Sequence, residues 1–271
     1  MTPDIKKRES LKSIHKFIYF FGFNARVFYR NITGIGWYLR DFFKLKRLLK
    51  RNKHFSIKSF YAVLTDKSDN AGTLSGHYFH QDLLVAQKIF QQNPIRHVDI
   101  GSRTDGFVAH VASFRPIDVI DIRPLKSNSV NINFLQADFM HELPQQFVES
   151  TDSLSCLHAL EHFGLGRYGD PIDDDGHVKG FNNLKKMVKP GGKLYFSTPI
   201  GKEQRIVFNA HRVFSIKYLM ELFTEELTIE DFYFVDDNGN LNHPQMPLTA
   251  NDIETSFNCH YGCGIFILNK R

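Results

Sequence analysis

The 271-residue chain reads as an α/β protein. We expect a doubly wound, mostly parallel seven-stranded sheet with an antiparallel last strand, behind an N-terminal helical extension. Three observations lead there. From about residue 75 onward, short apolar runs alternate with helical patterns, which implies a parallel sheet with helices on both faces. The last two apolar runs have no good helix between them, which favours an antiparallel hairpin at the sheet edge. The first sixty residues are different in kind, with fifteen Lys/Arg against three Asp/Glu, a net +12 that leaves −7 on the rest of a chain totalling +5. The expected domains are therefore residues 1–60, basic and aromatic, and residues 61–271.

The elements follow in order. Residues 1–52 suggest two helices broken near Thr33-Gly34-Ile35-Gly36, the second running from Trp37 to Lys50. That second helix sets Trp37, Leu39, Phe42, Phe43, Leu45, Leu48 and Leu49 among basic residues. It fits an interfacial helix on anionic lipid, and equally a helix packed by its apolar stripe on the main domain. Residues 53–75 connect. A helical pattern covers Ser75 to Gln92 and stops before Pro94. Strands are expected at Arg96–Gly101, Ile117–Ile122, Asn131–Gln136, Ser153–Leu157 and Lys193–Ser197, then at Leu227–Val235 and Tyr261–Leu268. Helices follow the first strand through Phe114 and cover Lys179–Val188 and Ser215–Phe223.

At 42% hydrophobic and 23% charged residues, the chain is of ordinary globular composition. Its longest early apolar run, Phe17 to Phe23, is far shorter than the roughly 20 residues that cross a bilayer. Arg26 and Arg30 follow it without a small-residue cleavage pattern, so no signal peptide is expected. Three cysteines, Cys156, Cys259 and Cys263, make no disulfide framework and fit a reducing compartment. A cytoplasmic location is expected, with peripheral attachment to the inner face of a membrane left open by the basic head.

Ligands of such sheets bind beyond the carboxyl ends of the strands, near the point where strand order reverses. Three successive strand ends carry polar groups there. The first opens into Asp99-Ile100-Gly101-Ser102-Arg103-Thr104-Asp105-Gly106, a turn that offers backbone N–H groups to an anion. The second ends in Asp121, spaced to take two ribose hydroxyls. The third leads to Asp138, placed to receive an exocyclic amine of a base. Beyond the fourth strand, the polar run from His158 to His177 lies where a second substrate would bind, and His158, His162 and His211 are its candidate bases. The plainer reading of each Asp is a turn or helix cap, and of each His a backbone partner in the cleft wall.

Other clusters carry less. Asp170, Asp173, Asp174, Asp175 and His177 offer the oxygen ligands of a hard cation, but Pro171 and Gly176 favour a solvated turn. Cys259-His260-Tyr261-Gly262-Cys263 lacks two further ligands for zinc, and Cys263 opens an apolar strand where a thiol acts as a small hydrophobe. No metal is assigned. Ser155 and Cys156 have no nucleophile-elbow context.

Over about residues 76–270 the sequence resembles the class I S-adenosylmethionine-dependent methyltransferases, which have a Rossmann-like fold. The landmarks are Asp99-Ile100-Gly101, Asp121-Ile122, Gln136-Ala137-Asp138, the run from Asp152 to His162, and Lys189-Pro190-Gly191-Gly192-Lys193-Leu194. Ser155 to Gly180 and Phe208-Asn209-Ala210-His211-Arg212-Val213-Phe214 look like a bacterial-type branch known mainly as a domain of unknown function. The resemblance implies S-adenosylmethionine as cofactor, held by Asp99, Gly101, Ser102, Arg103, Gly106, Asp121, Ile122, Asp138, Phe139 and His158. It implies methyl transfer to oxygen or nitrogen, with His162, His211 and Glu161 as catalytic candidates. A small-molecule or glycan intermediate is the expected acceptor, the glycan on the strength of the basic aromatic head together with a loose association of the family with such pathways. One departure stands out: Arg103 and Asp105 replace the second and third glycines of the family's usual turn. Arg103 either meets the cofactor's carboxylate or blocks its methionine end. The competing expectation is a non-catalytic nucleotide-binding or scaffold protein. A nucleic-acid partner ranks last, because the head's aromatics lie in apolar runs rather than scattered for base stacking.

Overall fold

The computed structural model describes residues 19–51, 54–223 and 226–271. The expectations for residues 1–18, including the start of the apolar run at Phe17, lie outside these. The chain divides between Thr73 and Leu74 into two compact units.

In the first unit a single helix, α1, spans Ala25–Leu49. The break expected at Gly34 is absent. A side chain there would meet Leu64 Cβ and the Leu64 carbonyl, each at 2.9 Å, so the glycine serves close approach of the following segment and not helix termination. Asn24 caps the helix by accepting from the Val27 N–H at 3.1 Å. Residues 54–73 fold back on it. Arg30 donates to the Thr65 carbonyl, the Ser68 hydroxyl and the Asp69 carboxylate. Lys67 pairs with Asp41 at 2.9 Å and lies 4.4 Å from the Trp37 ring, while the Phe42 and Phe60 rings meet at 5.3 Å. Phe28, Tyr29, Ile32, Leu39 and Phe43 remain exposed.

The second unit holds α2 (His77–Gln92), β1 (His97–Ile100), α3 (Ala109–Ala112), β2 (Ile117–Asp121), β3 (Ile132–Gln136), β4 (Thr151–Leu157), α4 (Gly176–Met187) and β5 (Val188–Ile200). It continues with β6 (Arg205–Val207), β7 (His211–Val213), α5 (Ile216–Phe223), β8 (Leu227–Val235), β9 (Leu241–Asn242), α6 (Ala250–Thr255) and β10 (Gly262–Lys270). The main sheet runs β3-β2-β1-β4-β5-β10-β8-β9. Its first five strands are parallel, and β10 is antiparallel to both neighbours. All seven expected strands are present, and the two-residue β9 is an eighth at the edge. β8 and β10 do pair antiparallel, but not as an edge hairpin: β10 inserts between β5 and β8 because its residues from Cys263 to Leu268 are buried. β6 and β7 form a separate hairpin that the alternation of runs did not suggest.

Period-two alternation divides the core between the two faces of the sheet. Leu154, Cys156, Leu194, Phe196, Phe266 and Leu268 pack with α4 and α5. Leu157, Val119, Tyr195, Ile265 and Ile267 face α2 and the turn after β1. With helices on both faces, the sheet is doubly wound. The chain steps outward from β1 through β2 to β3 and then returns to β4 on the other side of β1. That reversal opens a crevice above β1 and β4.

Candidate functional site

A cavity of about 490 Å³ occupies this crevice, lined from the carboxyl ends of β1, β2, β3 and β4. Gly101, Arg103, Asp121, Ile122, Asp138, Phe139, His158 and His162 all line it. Asp99, Ser102, Gly106, Glu161 and His211 do not appear in its wall.

The turn after β1 is built from below. Asp99 is fully buried and accepts from the Ser102 N–H at 3.0 Å, the Ser102 hydroxyl at 2.6 Å and the Ser155 hydroxyl at 2.5 Å. Burial pushes its carboxyl up to about 7 against those hydrogen bonds. Asp99 and Ser102 therefore shape the loop from beneath. Gly101 has φ +71°, and a side chain there would meet Ala159 Cβ at 2.9 Å, so the turn can pass under the loop after β4 only with glycine. The helix expected through Phe114 is mostly a π-turn at Thr104–Val108 and the short α3. Gly106 breaks it with φ −120° and ψ −106°, and a side chain at Gly106 would collide with the Asp82 carboxylate at 2.6 Å. The turn thus lacks a long helix axis behind it. At its rim Arg103 and Asp105 pair with each other at 3.0 and 3.2 Å, and the Arg103 guanidinium lies 5.0 Å from the Tyr78 ring.

Asp121 ends β2 and turns on itself: its Oδ1 accepts the Arg123 N–H at 2.8 Å. The Arg123 guanidinium then closes on both carboxylate oxygens, at 3.0 and 2.6 Å, and lies 4.5 Å from the Tyr168 ring. Asp138 accepts from the Met140 N–H at 2.9 Å through Oδ1, and its Oδ2 lies 3.8 Å from His141 Nδ1.

The loop after β4 gathers the titratable groups. His158, with φ +51°, donates from Nδ1 to Glu161 Oε1 at 2.8 Å. Burial alone would raise the Glu161 carboxyl, but the charge of His158 beside it holds it below the ordinary value. Burial opposes a charge on His158, and the Cys263 sulfur and Glu161 carboxylate more than offset it, so its pKa is raised. His162 Nδ1 donates to the Ala210 carbonyl at 2.7 Å, which fixes the tautomer whose Nε2 carries the lone pair. Burial lowers its pKa despite Glu161 3.7 Å away, so it is a neutral acceptor of protons near pH 7. His211 sits on β7, its ring tilted 39° to that of Tyr261 with centroids 5.1 Å apart, and burial lowers its pKa too.

The acidic stretch is a tied turn: Asp170 accepts from the Gly166 and Tyr168 N–H groups, and Asp173 from Asp175 N–H and the Lys179 ammonium. Sequence reasoning missed Tyr78, Arg123, Arg167 and Tyr168, all in the cavity wall. Arg167 and Tyr168 lie in the polar run already marked for a substrate. Arg123, two residues beyond Asp121, and Tyr78, on α2, gave no such signal.

The family described as Caenorhabditis protein of unknown function, DUF268, matches residues 125–254. This stretch leaves out the turn after β1, and the description is of a Caenorhabditis protein rather than a bacterial-type branch. No curated protein matches the chain. Among solved structures, the chain is similar to the N-methyltransferase NodS from Bradyrhizobium japonicum WM9 in complex with S-adenosyl-L-homocysteine. Identity is 15% and the TM-score 0.46, over 72% of this chain and 88% of that one. The Burkholderia thailandensis 1,6-didemethyltoxoflavin-N1-methyltransferase is 13% identical with a TM-score of 0.47, over 70% of this chain and 78% of its own. The cyclase SpnF is 15% identical with a TM-score of 0.48, over 70% and 80%. By its own strand order, with five parallel strands and an antiparallel strand inserted beside the fifth, the chain has the Rossmann-like fold of class I methyltransferases.

Proposed function

We propose that the protein is an S-adenosylmethionine-dependent methyltransferase acting on oxygen or nitrogen of a small-molecule or glycan intermediate. The observation that carries this reading is the cavity at the strand reversal, with Asp121 and Asp138 at two successive strand ends and His162 also in its wall. In this reading Asp121 takes the ribose hydroxyls and Asp138 the adenine amine. Ile122 and Phe139 flank the base. Gly101 and Arg103 meet the methionine end, and His158 borders the nucleoside. Asp99, Ser102 and Gly106 act by holding the turn. His162 removes the acceptor's proton through Nε2, and Glu161 steadies the imidazolium that forms. His211 acts from the adjoining hairpin on the acceptor side. Methyl transfer is an in-line displacement, so holding donor and acceptor in line supplies much of the rate.

The ribose must first displace Arg123, whose two hydrogen bonds occupy the Asp121 carboxylate. The same contact supports a second reading, a non-catalytic nucleotide-binding or scaffold protein in which Arg123 keeps the ribose out. Calorimetric titration with S-adenosylmethionine and S-adenosylhomocysteine separates the two: saturable binding of both supports the enzyme, and no binding of either supports the second reading.

The exposed aromatic and basic residues of α1 support a further part of the proposal. Residues 1–52 contact anionic lipid and bring the domain to the inner face of a membrane. No helix among the described residues is long and apolar enough to cross one.

A further inference from the structure

We propose that His77, His158 and Cys263 form a metal site for a borderline-soft divalent cation, zinc in the first place, with one coordination position open. The three come from distant parts of the sequence: the first residue of α2, the residue after β4 and the second residue of β10. Their candidate ligand atoms all lie within 4.8 Å of one another. His158 is the central ligand of this site. Its side chain is 3% exposed, its Nδ1 is held by Glu161 at 2.8 Å, and its Nε2 is buried without a hydrogen-bond partner. A carboxylate on one imidazole nitrogen with the other nitrogen bare is how metal-binding histidines are oriented. The backbone of His158 is also held at φ +51°, an unfavourable conformation for a non-glycine residue and one that clusters at functional sites.

The other two donors lie against it. Cys263 Sγ has long contacts, 3.8 Å to Gln81 Oε1 and 3.7 Å to the Gly264 carbonyl, and also interacts with the His158 ring. His77 is half-buried, its ring stacks 5.2 Å from that of His158, and it hydrogen-bonds the Tyr261 backbone. Zinc bonds of about 2.0–2.3 Å put tetrahedral donors about 3.3–3.7 Å apart, so the site contracts by about 1 Å as the His77 ring turns edge-on. Two imidazoles and a thiolate suit zinc or copper and not magnesium or calcium, which take oxygen ligands. Metal binding takes deprotonated ligands, so the protons carried by the Cys263 thiol and by His158 Nε2 are both released to solvent. Since His158 also lines the cavity, the cation lies at the cavity wall. The proposal goes beyond the methyl-transfer reading and does not depend on it. It also departs from the sequence expectation of no metal, and it uses Cys263 without Cys259 or His260.

Cobalt(II) is the probe. Full-length protein, cleared with a chelator and dialysed, is titrated with Co²⁺ without S-adenosylmethionine. We expect one Co²⁺ per chain, a thiolate-to-cobalt charge-transfer band in the near ultraviolet, and bleaching of that band by zinc. The band disappears in Cys263→Ala, and Glu161→Gln weakens binding by roughly 10–100-fold. A wild-type protein without the charge-transfer band overturns the proposal, as does a band that survives in Cys263→Ala. Should Cys263→Ala fail to fold, His77→Ala, at a half-buried helix start, decides: unchanged affinity overturns the site, and weakened affinity supports it.

Discussion

Glu161 faces two histidines at once, 2.8 Å from His158 Nδ1 and 3.7 Å from His162 Nε2. A proton taken up by His162 at Nε2 therefore arrives beside a carboxylate, while its Nδ1 stays on the Ala210 carbonyl. If His162 is the base, His162→Ala lowers turnover by about 10²–10⁴-fold and leaves cofactor affinity nearly unchanged. Loss of cofactor binding in the variant would show that His162 builds the pocket instead. Its pKa is lowered by burial, and the neutral form is the active one. Activity should hold at high pH and fall on acidification only below the ordinary histidine range. A fall that begins above pH 6.5 would assign the base elsewhere. Asp121→Ala should weaken S-adenosylmethionine binding by about 1.5–3 kcal/mol, the range for hydrogen bonds to a charged group. Unchanged affinity in a folded variant would remove Asp121 from the ribose. That Asp121, Asp138, His158 and His162 would come to one crevice was legible because residues past the strand ends have a known place in such a sheet, whereas His211, on β7, is not in the cavity wall. Arg123 was not, because only the folded turn shows its guanidinium returning onto its own neighbour. His77 and Cys263 meet from opposite ends of the domain, and no local pattern joins them.

At the scale of elements, the strands were legible from their apolar runs and the helices from their spacing, but placement depended on tertiary contacts. The insertion of β10 beside β5 is set by its apolar residues on both faces, not by any local signal. Two glycines show the same limit. Gly101 was read as a turn residue, and it also lets the loop after β4 pass at contact distance. Gly101→Ala should cost about 1–3 kcal/mol from the positive φ alone, measurable by urea unfolding; a variant as stable as the parent would mean the loop gives way freely. Gly34 was read as a helix break, yet α1 continues through it and the backbone at Leu64 lies against it. Gly34→Ala improves helix propensity by about 1 kcal/mol but pushes against Leu64. Residues 54–73 should then be cleaved faster by protease, and unchanged cleavage would show that the contact is dispensable.

On the scale of the whole molecule, charge and chemistry are divided between a basic head and a mildly acidic α/β domain. If the head contacts anionic lipid, each Lys or Arg near the surface contributes about 1 kcal/mol, and salt screens it. Sedimentation with anionic liposomes should fall as salt rises and be lost when residues 1–52 are deleted. Retention of the deleted protein on liposomes would place the contact in the domain instead. A crystal structure of the protein with S-adenosylhomocysteine is the decisive test of the cavity. The nucleoside should lie in the crevice above β1 and β4, its ribose hydroxyls on Asp121, its adenine amine at Asp138, and Arg123 swung away. Ligand bound elsewhere, or a cavity that stays closed by an intact Arg123–Asp121 pair at saturating ligand, would contradict it.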